Sequence, residues 1–532
     1  MNFKEFIESD RESRGKEKFN GTFLDYLEII KQNPDVTKLA HKRLYDTIMK
    51  DGVEVLKAED NPRVKKIYGN DAIRQYGFFK DNFFGIDKVL MKLMNYFHSA
   101  AMQGEEARQV LYLVGPVGAG KSSLVESLKK ALEGSESIYS IKGCPMHEEP
   151  LHLIPKHLRP EFEHLLGVKI EGDLCPVCKY RLLHEYDGKY EEMPIEKKGF
   201  SIRSRKGIGV VPPVDPNNQD TSILTGSIDI SKMDMYPEDD PRIFSLNGAF
   251  NVGNRGMVEF IEVFKNDVEY LHTIITATQE KSVPSPGKGS MIYFDGVIVA
   301  HSNEAEWNKF KADHTNEAIL DRIVKIEVPY CLELDEEVKI YEKILKKSNF
   351  NAHIAPHTIE IAAMFAILSR LTPSNKVDPM TKLKIYNGEE IVEKGSTKRI
   401  DISELREEAG SYEGMKGIST RFIVKAIDNA LSNSEFNCIN PLSIMESIIK
   451  SVKELDIGSD DKKRYLGFIQ DTIRKEYNKI LEKEITKSFI HSFREQAESL
   501  FNNYIDNAEA FVNKSKIKDS STGEELNPDE EF

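Results

Sequence analysis

Along this chain of 532 residues, the spacing of apolar positions changes by region. Up to about residue 80 they recur at helical intervals, as in Phe23, Leu24, Tyr26, Leu27 and Ile30, which predicts helices. Phe83-Phe84-Gly85-Ile86-Asp87 then opens a helix that continues through Leu90, Leu93, Met94 and Phe97. From about 108 to 330, short apolar runs alternate with helical stretches, the pattern of a parallel sheet flanked by helices. The runs are 110–114, 138–141, 257–261, 271–276, 292–300 and 323–328. A long segment rich in Cys, His, Pro and Gly separates the second run from the third and reads as an insertion. Residues 335–371 predict helix. Asn387-Gly388, between Leu383-Lys384-Ile385-Tyr386 and Glu389-Glu390-Ile391-Val392, predicts a compact hairpin. Residues 441–516 carry charged amphipathic patterning, and Asp519 to Phe532 is polar enough to predict disorder.

These changes divide the chain into a helical region over 1–80, an α/β core over 81–330 with an insertion at about 143–205, a helical lid with a hairpin over 331–430, and a helical module over 431–532. The net charge of −14 argues against general binding to nucleic acid or an anionic membrane. No apolar run approaches the ~20 residues that span a bilayer, and Met1-Asn2-Phe3-Lys4-Glu5 is unlike a secretory signal. A cytoplasmic protein is therefore expected. Five cysteines are too few for a disulfide scaffold.

The first apolar run of the core, Val110 to Val114, leads into Gly115-Pro116-Val117-Gly118-Ala119-Gly120-Lys121-Ser122, and a helix-forming stretch begins at Ser123. This is G-x-x-x-x-G-K-S between a buried strand and a helix, the context a P-loop requires. Its glycines let backbone N–H groups turn inward onto phosphate oxygens, and the helix N-terminus adds to that attraction. Lys121 reaches the β- and γ-phosphates and the Ser122 hydroxyl ligates Mg²⁺ in this arrangement. The expected ligand is a nucleoside triphosphate.

Such a loop needs a carboxylate for the metal and for the nucleophile. Glu262, ending the run Met257-Val258-Glu259-Phe260-Ile261, lies where ligands bind in parallel sheets, and Glu259 is expected on the same or a neighbouring edge. Ile261 precedes Glu262, so the usual Asp-Glu pair is absent; both glutamates could equally be solvated. Asn303 ends the run 292–300 and its following residues; it either senses the γ-phosphate or merely turns the chain before a helix. Arg322, ending Ala318-Ile319-Leu320-Asp321-Arg322, is placed to reach a neighbouring subunit's phosphate or to pair with Asp321. Arg421, in Gly417-Ile418-Ser419-Thr420-Arg421, either reaches the same nucleotide from the lid or is a solvated arginine in the first turn of a helix.

Cys144-Pro145-Met146-His147 and Cys175-Pro176-Val177-Cys178 form a second constellation, with 27 residues between the pairs. Two such knuckles can converge on Zn²⁺ through Cys144, His147, Cys175 and Cys178, a closed structural site. His152, His157, His164 and His184 are the substitutes should His147 point away.

Together these residues resemble the PrkA family over nearly the whole chain. The resemblance rests on Gly115–Ser123, Cys144 through His152, Asp240-Pro241-Arg242, Asn254 through Glu262, His301 through Trp307, Gly417–Arg421, Ala497 through Tyr504 and Thr522 through Leu526. It implies a P-loop AAA+ module, ATP with Mg²⁺ and protein substrates, while Arg322, with no phosphate of its own subunit to meet, predicts a homo-oligomeric ring, a hexamer being one size. The resemblance implies serine protein kinase activity linked to stress response, stationary phase or sporulation, with ATP-dependent proteolysis the alternative described for some members. Family members continue further, so a chain shortened at its C-terminus is expected. The residues themselves show no H-R-D-x-x-x-x-N loop and no D-F-G, so a kinase here would use the P-loop ATP with Glu262 or Glu259 as base. A protein remodeller and a nucleotide-switched scaffold remain alternatives on the residues alone.

Overall fold

The computed structural model describes residues 3–4, 19–213, 220–265, 268–287, 290–347, 352–391, 401–432, 438–518 and 525–528. The apolar runs build a five-stranded sheet from β1 (Val110–Val114), β2 (Ile208–Val211), β3 (Met257–Ile261), β4 (Val297–Ser302) and β5 (Ile323–Glu327). Its order is β5-β1-β4-β3-β2 and every pair is parallel. β1 and β4 are buried along their whole length, as expected of strands covered on both faces.

Alternation along the strands makes two cores. Leu111, Leu113, Met257, Val297 and Val299 pack with Leu124, Val125, Leu128 and Leu132 of the helix Lys121–Glu133 and with the helix Asp87–Ala101. Val110, Tyr112, Val258, Phe260 and Ile298 face Leu271, Ile274 and Ala277 of the helix Val268–Gln279, with Trp307 and Phe310. Phe23, Tyr26, Leu27 and Ile30 join that second core from the helix Phe23–Gln32, while Leu24 on the opposite side stays exposed. The N-terminal helices thus share the core of the sheet.

Several expected elements differ. The run 271–276 is helix, because Leu271, Ile274 and Ile275 repeat at helical spacing and lie flat on the sheet. Ile138–Ile141 leaves the parallel sheet and pairs antiparallel with Pro194–Lys198, which also pairs with Asn20–Thr22. The run 292–300 is cut at Asp295-Gly296: Met291–Tyr293 pairs with Ser282–Pro284, and β4 begins at Val297. β2 was not legible. It is four residues long, and its Gly209 is so close to Ala249 that a Cβ would meet that residue's carbonyl oxygen at 2.3 Å.

The hairpin expected at Asn387-Gly388 is not formed. Leu383 to Tyr386 is the last turn of the helix Pro379–Tyr386, started by Asp378, whose carboxylate accepts from Met380 N and Thr381 N, and by Pro379 at its first position. Asn-Gly here stops a helix, the other use of that dipeptide.

The chain divides into two compact units, Met1–Asn351 with Ala366–Lys425, and Ala352–Phe365 with Ala426–Phe532. In the second, His353–Ile354 pairs with Cys438–Ile439, and the helix Pro441–Glu454, capped by Asn440, buries Ile444, Met445, Ile448 and Val452. The helices Ser459–Gly467, Arg474–Ser492 and Arg494–Asn513 follow. Of the tail expected to be disordered, Glu525–Leu526 pairs with Ile517–Lys518; residues 519–524 and 529–532, with Thr522 to Glu524 among them, lie outside the described residues. Among the described residues no helix is long and apolar enough to cross a membrane.

Phe260 is 0 % exposed between Phe250 and the sheet face. Phe260→Ala should therefore lower unfolding free energy by about 3–5 kcal/mol, read as a lower urea midpoint with nucleotide-free protein. An unchanged midpoint would contradict this packing.

Candidate functional site

β1 runs directly into the glycine loop. Gly118 and Gly120 adopt φ of +83° and +95°, conformations that glycine reaches without strain. Gly115 is needed for a different reason: a Cβ there would lie 2.1 Å from the Val328 carbonyl oxygen. Two contacts from the segment after β5 fix the loop: Val328 N donates to Val114 O at 2.8 Å, and the Tyr330 hydroxyl donates to Val117 O at 2.6 Å. Gly120 ends the loop as the N-cap of the helix Lys121–Glu133 and offers no side chain to its first-turn N–H groups, which leaves those donors for an anion.

The loop opens on a cavity of about 280 Å³ lined by Gly118 to Ser123, Tyr330, Cys331 and Arg421 together with Phe83, Phe84, Ile86, Ile340 and Ile344. Part of this lining is N–H groups and cations, and the rest is apolar and aromatic. That division fits a polyphosphate joined to a flat base. Lys121 is buried and donates through Nζ to Gly115 O at 2.7 Å and Pro116 O at 2.9 Å. Burial lowers its pKa to about 8, against the opposing charge of Glu262.

The structure separates the other candidates. Glu262 follows β3 with a φ of +50° and forms an ion pair with Lys265; its charge reaches Lys121. Glu259 does not face the cavity edge. It is buried in mid-strand, 2.5 Å from Lys129 Nζ and 3.1 Å from His301 Nε2, because alternation turns it toward the flank of the P-loop helix. Burial pushes its carboxyl up, but hydrogen bonds and charge from His301 and Lys129 outweigh this and hold it below the ordinary value. Of the two carboxylates, Glu262 is the one whose charge acts on Lys121.

Asn303 lies beside the loop, since Ser302 pairs with Val114. Its Oδ1 accepts from Glu306 N at 2.9 Å and caps the helix Glu304–Ala312, so a ligand would be addressed through Nδ2. Arg322 lies at the opposite edge of the sheet, next to Ile323, which pairs with Val110 at the start of β1. Its guanidinium donates to Gln279 Oε1 at 2.9 Å and to Ala318 O at 2.5 Å. Arg322 is not brought to its own loop; Arg421 is.

In the insertion, Cys144, Glu148, Cys175 and Cys178 are all buried, with their ligand atoms within 4.8 Å of one another. Cys175 N donates to Glu148 Oε2 at 2.8 Å, and Cys178 N to Cys175 Sγ at 3.4 Å. His147, expected as the fourth ligand, is outside this group, with Nδ1 3.3 Å from Lys198 Nζ. The reason is local: His147 adopts a φ of +50°, reversing the chain so that Glu148 turns inward. Glu148 was missed because a Cys-His spacing is the familiar signal and a carboxylate beside it reads as solvated. Three thiols and a carboxylate, all enclosed, suit Zn²⁺.

A parallel sheet in which the strand between β5 and β4 feeds a glycine loop and helix, with an arginine from a later helix at the same cavity, defines a P-loop ATPase of the AAA class. The family model described as PrkA AAA domain matches residues 21–378, and the PrkA serine protein kinase C-terminal domain matches residues 380–532. The chain belongs to the PrkA family. It is 41% identical to the ATP-dependent protease PrkA of Bacillus subtilis (strain 168), over 99% of this chain and 82% of that protein. It is 33% identical to the serine/threonine kinase YeaG of Escherichia coli (strain K12), over 87% and 73% respectively. Among solved structures, NtrX from Brucella abortus with ADP aligns over 81% of this chain and 65% of that chain at 11% identity, with a TM-score of 0.31, too slight a likeness to build on.

Lys121 loses its proton near pH 8 in the free protein, and a triphosphate favours the charged ammonium. Binding above that pH takes up a proton, so affinity is full below about pH 8 and falls as pH rises through it, approaching tenfold per unit. Calorimetric titration with ATP and Mg²⁺ across this range measures the slope, and a flat profile would refute this role for Lys121.

Proposed function

We propose that this chain binds and hydrolyses ATP and transfers its γ-phosphoryl group to serine hydroxyls of protein substrates. The observation that carries the ATP site is the single cavity shared by the glycine loop, Lys121 and Arg421. The loop N–H groups from Gly115 to Ser123 and the Lys121 ammonium hold the phosphates, and the Ser122 hydroxyl holds Mg²⁺, which supplies charge neutralisation when bound. Glu262 accepts the proton of the attacking hydroxyl as the new P–O bond forms and the bond to the β-phosphate oxygen breaks, releasing ADP. Its ion pair with Lys265 must loosen for that step. Asn303 orients the nucleophile through Nδ2, and Arg421 meets the charge on the phosphates.

The choice of a serine acceptor leans on the names of the C-terminal family model and of the E. coli relative. The name of the Bacillus subtilis relative favours a second reading, in which the same ATP chemistry drives proteolysis or remodelling. Incubation with γ-labelled ATP and a serine-containing protein separates them. Label on the protein supports transfer, and free phosphate with loss of intact substrate supports the second reading. Lys121→Ala should abolish either outcome.

Arg322, at the sheet edge away from its own loop, serves as the finger for a neighbouring copy in a homo-oligomeric ring. Arg322→Ala should keep nucleotide affinity and reduce turnover about 10³-fold or more under conditions where rings form. Unchanged turnover there would exclude the finger role.

Cys144, Cys175 and Cys178 with Glu148 would hold one structural Zn²⁺ that closes the insertion. Elemental analysis of untagged protein should return about one zinc per chain, and Cys178→Ser should lose it. Zinc-free protein after gentle purification would remove the assignment.

A further inference from the structure

Arg370 is a fully enclosed cation among the described residues, its side chain 0% exposed along with that of Glu337. It ends the helix Thr358–Arg370. Its Nε donates to Ile418 O at 3.0 Å, Nη1 donates to Cys331 O at 2.9 Å, and Nη2 lies 2.8 Å from Glu337 Oε1. The guanidinium also covers the Tyr330 ring, 4.5 Å from its centroid. Tyr341 completes the pair by donating its hydroxyl to Glu337 Oε1 at 2.5 Å.

These contacts lead to the cavity along two routes. Cys331 and Tyr330 line it, and the Tyr330 hydroxyl also holds Val117 of the loop. Ile418 lies three residues before Arg421, which lines the same cavity. The preceding residue, Ser369, accepts from Ile418 N through Oγ at 2.9 Å. Gly417 has a φ of +117°, and a Cβ there would meet Ser369 O at 2.6 Å. The segment before Arg421 is therefore pinned at its N–H by Ser369, at its C=O by Arg370, and by close approach at Gly417.

Burying an arginine–glutamate pair rarely stabilises more than apolar residues of the same volume would. A planar fork does something apolar groups cannot: it fixes two backbone segments in one register. We propose that Arg370 is a positioning residue that joins the Tyr330–Cys331 segment to the Ile418 segment, presenting Arg421 and the Tyr330-held loop to a triphosphate as one preformed unit. This rests on the reading of the cavity as the ATP site.

The test is a double-mutant cycle over Arg370→Met and Arg421→Ala, read by binding of a fluorescent ATP analogue with Mg²⁺. Each single change should weaken binding, and the double variant should be weaker than Arg421→Ala by less than the loss caused by Arg370→Met alone, a coupling of threefold or more. Arg370→Lys, which keeps the charge but not the fork, should show the same coupling. Purely additive losses would overturn the proposal, because a side chain that only stabilises the fold has no reason to act through Arg421. Thermal melts monitor folding. If Arg370→Met does not fold, Ser369→Ala, which leaves the buried ion pair in place, takes its position in the cycle with the same expected coupling and the same refuting result. Wild-type binding that ignores Lys121→Ala would instead sink the cavity assignment, while Lys121-dependent binding with an additive cycle sinks the role of Arg370 alone.

Discussion

The register in which β1 is held between β4 and β5 is the constraint on which the site depends. Val114 pairs with Ser302 on one side and with Glu327 on the other, so the glycine loop, Asn303 and the Val328–Tyr330 segment all leave the sheet at one edge. A slip of two residues in the β1–β5 ladder would preserve the apolar faces and still ruin the site, because Val328 would no longer meet Gly115 and Tyr330 would no longer reach Val117. The close approach at Gly115 makes that slip costly: a two-residue shift would bring Leu113 or Val117, each with a Cβ, against the Val328 carbonyl. Packing specifies the faces, and this backbone contact specifies the position along them.

Charge inside the core follows a related logic. Glu259 sits in the middle of β3, where neighbouring strands are apolar, and it is matched by Lys129 from the P-loop helix and His301 from β4. Such a group gives little net stability compared with an apolar one. Its geometry nonetheless ties the helix that begins at Lys121 to the strand that ends before Glu262, so the two walls of the phosphate end share an internal strut. Arg370 with Glu337 does for the Arg421 side what Glu259 with Lys129 does for the opposite wall.

Signals that act between neighbours in sequence were legible, and signals that depend on tertiary approach were not. The glycine loop, four of the five parallel strands and the stripe Phe23, Tyr26, Leu27 and Ile30 are local patterns. β2 was hidden because the helix Ala249–Gly253 packs directly against it at Gly209, which no periodicity records. The segment 271–276 was misread since a run of six apolar-rich residues is too short to separate a period of two from one of 3.6. Asn387-Gly388 suits a hairpin and a helix end alike, and Asp378-Pro379 upstream was the deciding cue. In the insertion, cysteine spacing located the knuckles, but the identity of the fourth corner turned on one backbone dihedral at His147.

That insertion is not a separate appendage. Asn254 Nδ2 donates to Met146 O at 3.0 Å, and Arg255 pairs with Glu149 and donates to Tyr139 O. Both residues stand immediately before β3, and Arg255 O accepts from Arg43 Nη1 at 2.9 Å. The knuckle carrying Cys144 and Glu148 is thus bonded to the chain that enters the strand leading to Glu262. A metal held there would stiffen Met146 and Glu149 along with its own ligands, and through them the start of β3. The resulting order is mechanical and directional: the knuckle fixes one end of β3, Glu259 fixes its middle, and Glu262 lies past the last ladder pair in a left-handed conformation, held by its ion pair with Lys265. On the proposed reading of Glu262 as base, the carboxylate that would exchange Lys265 for a substrate proton thus stands just beyond the paired part of the strand.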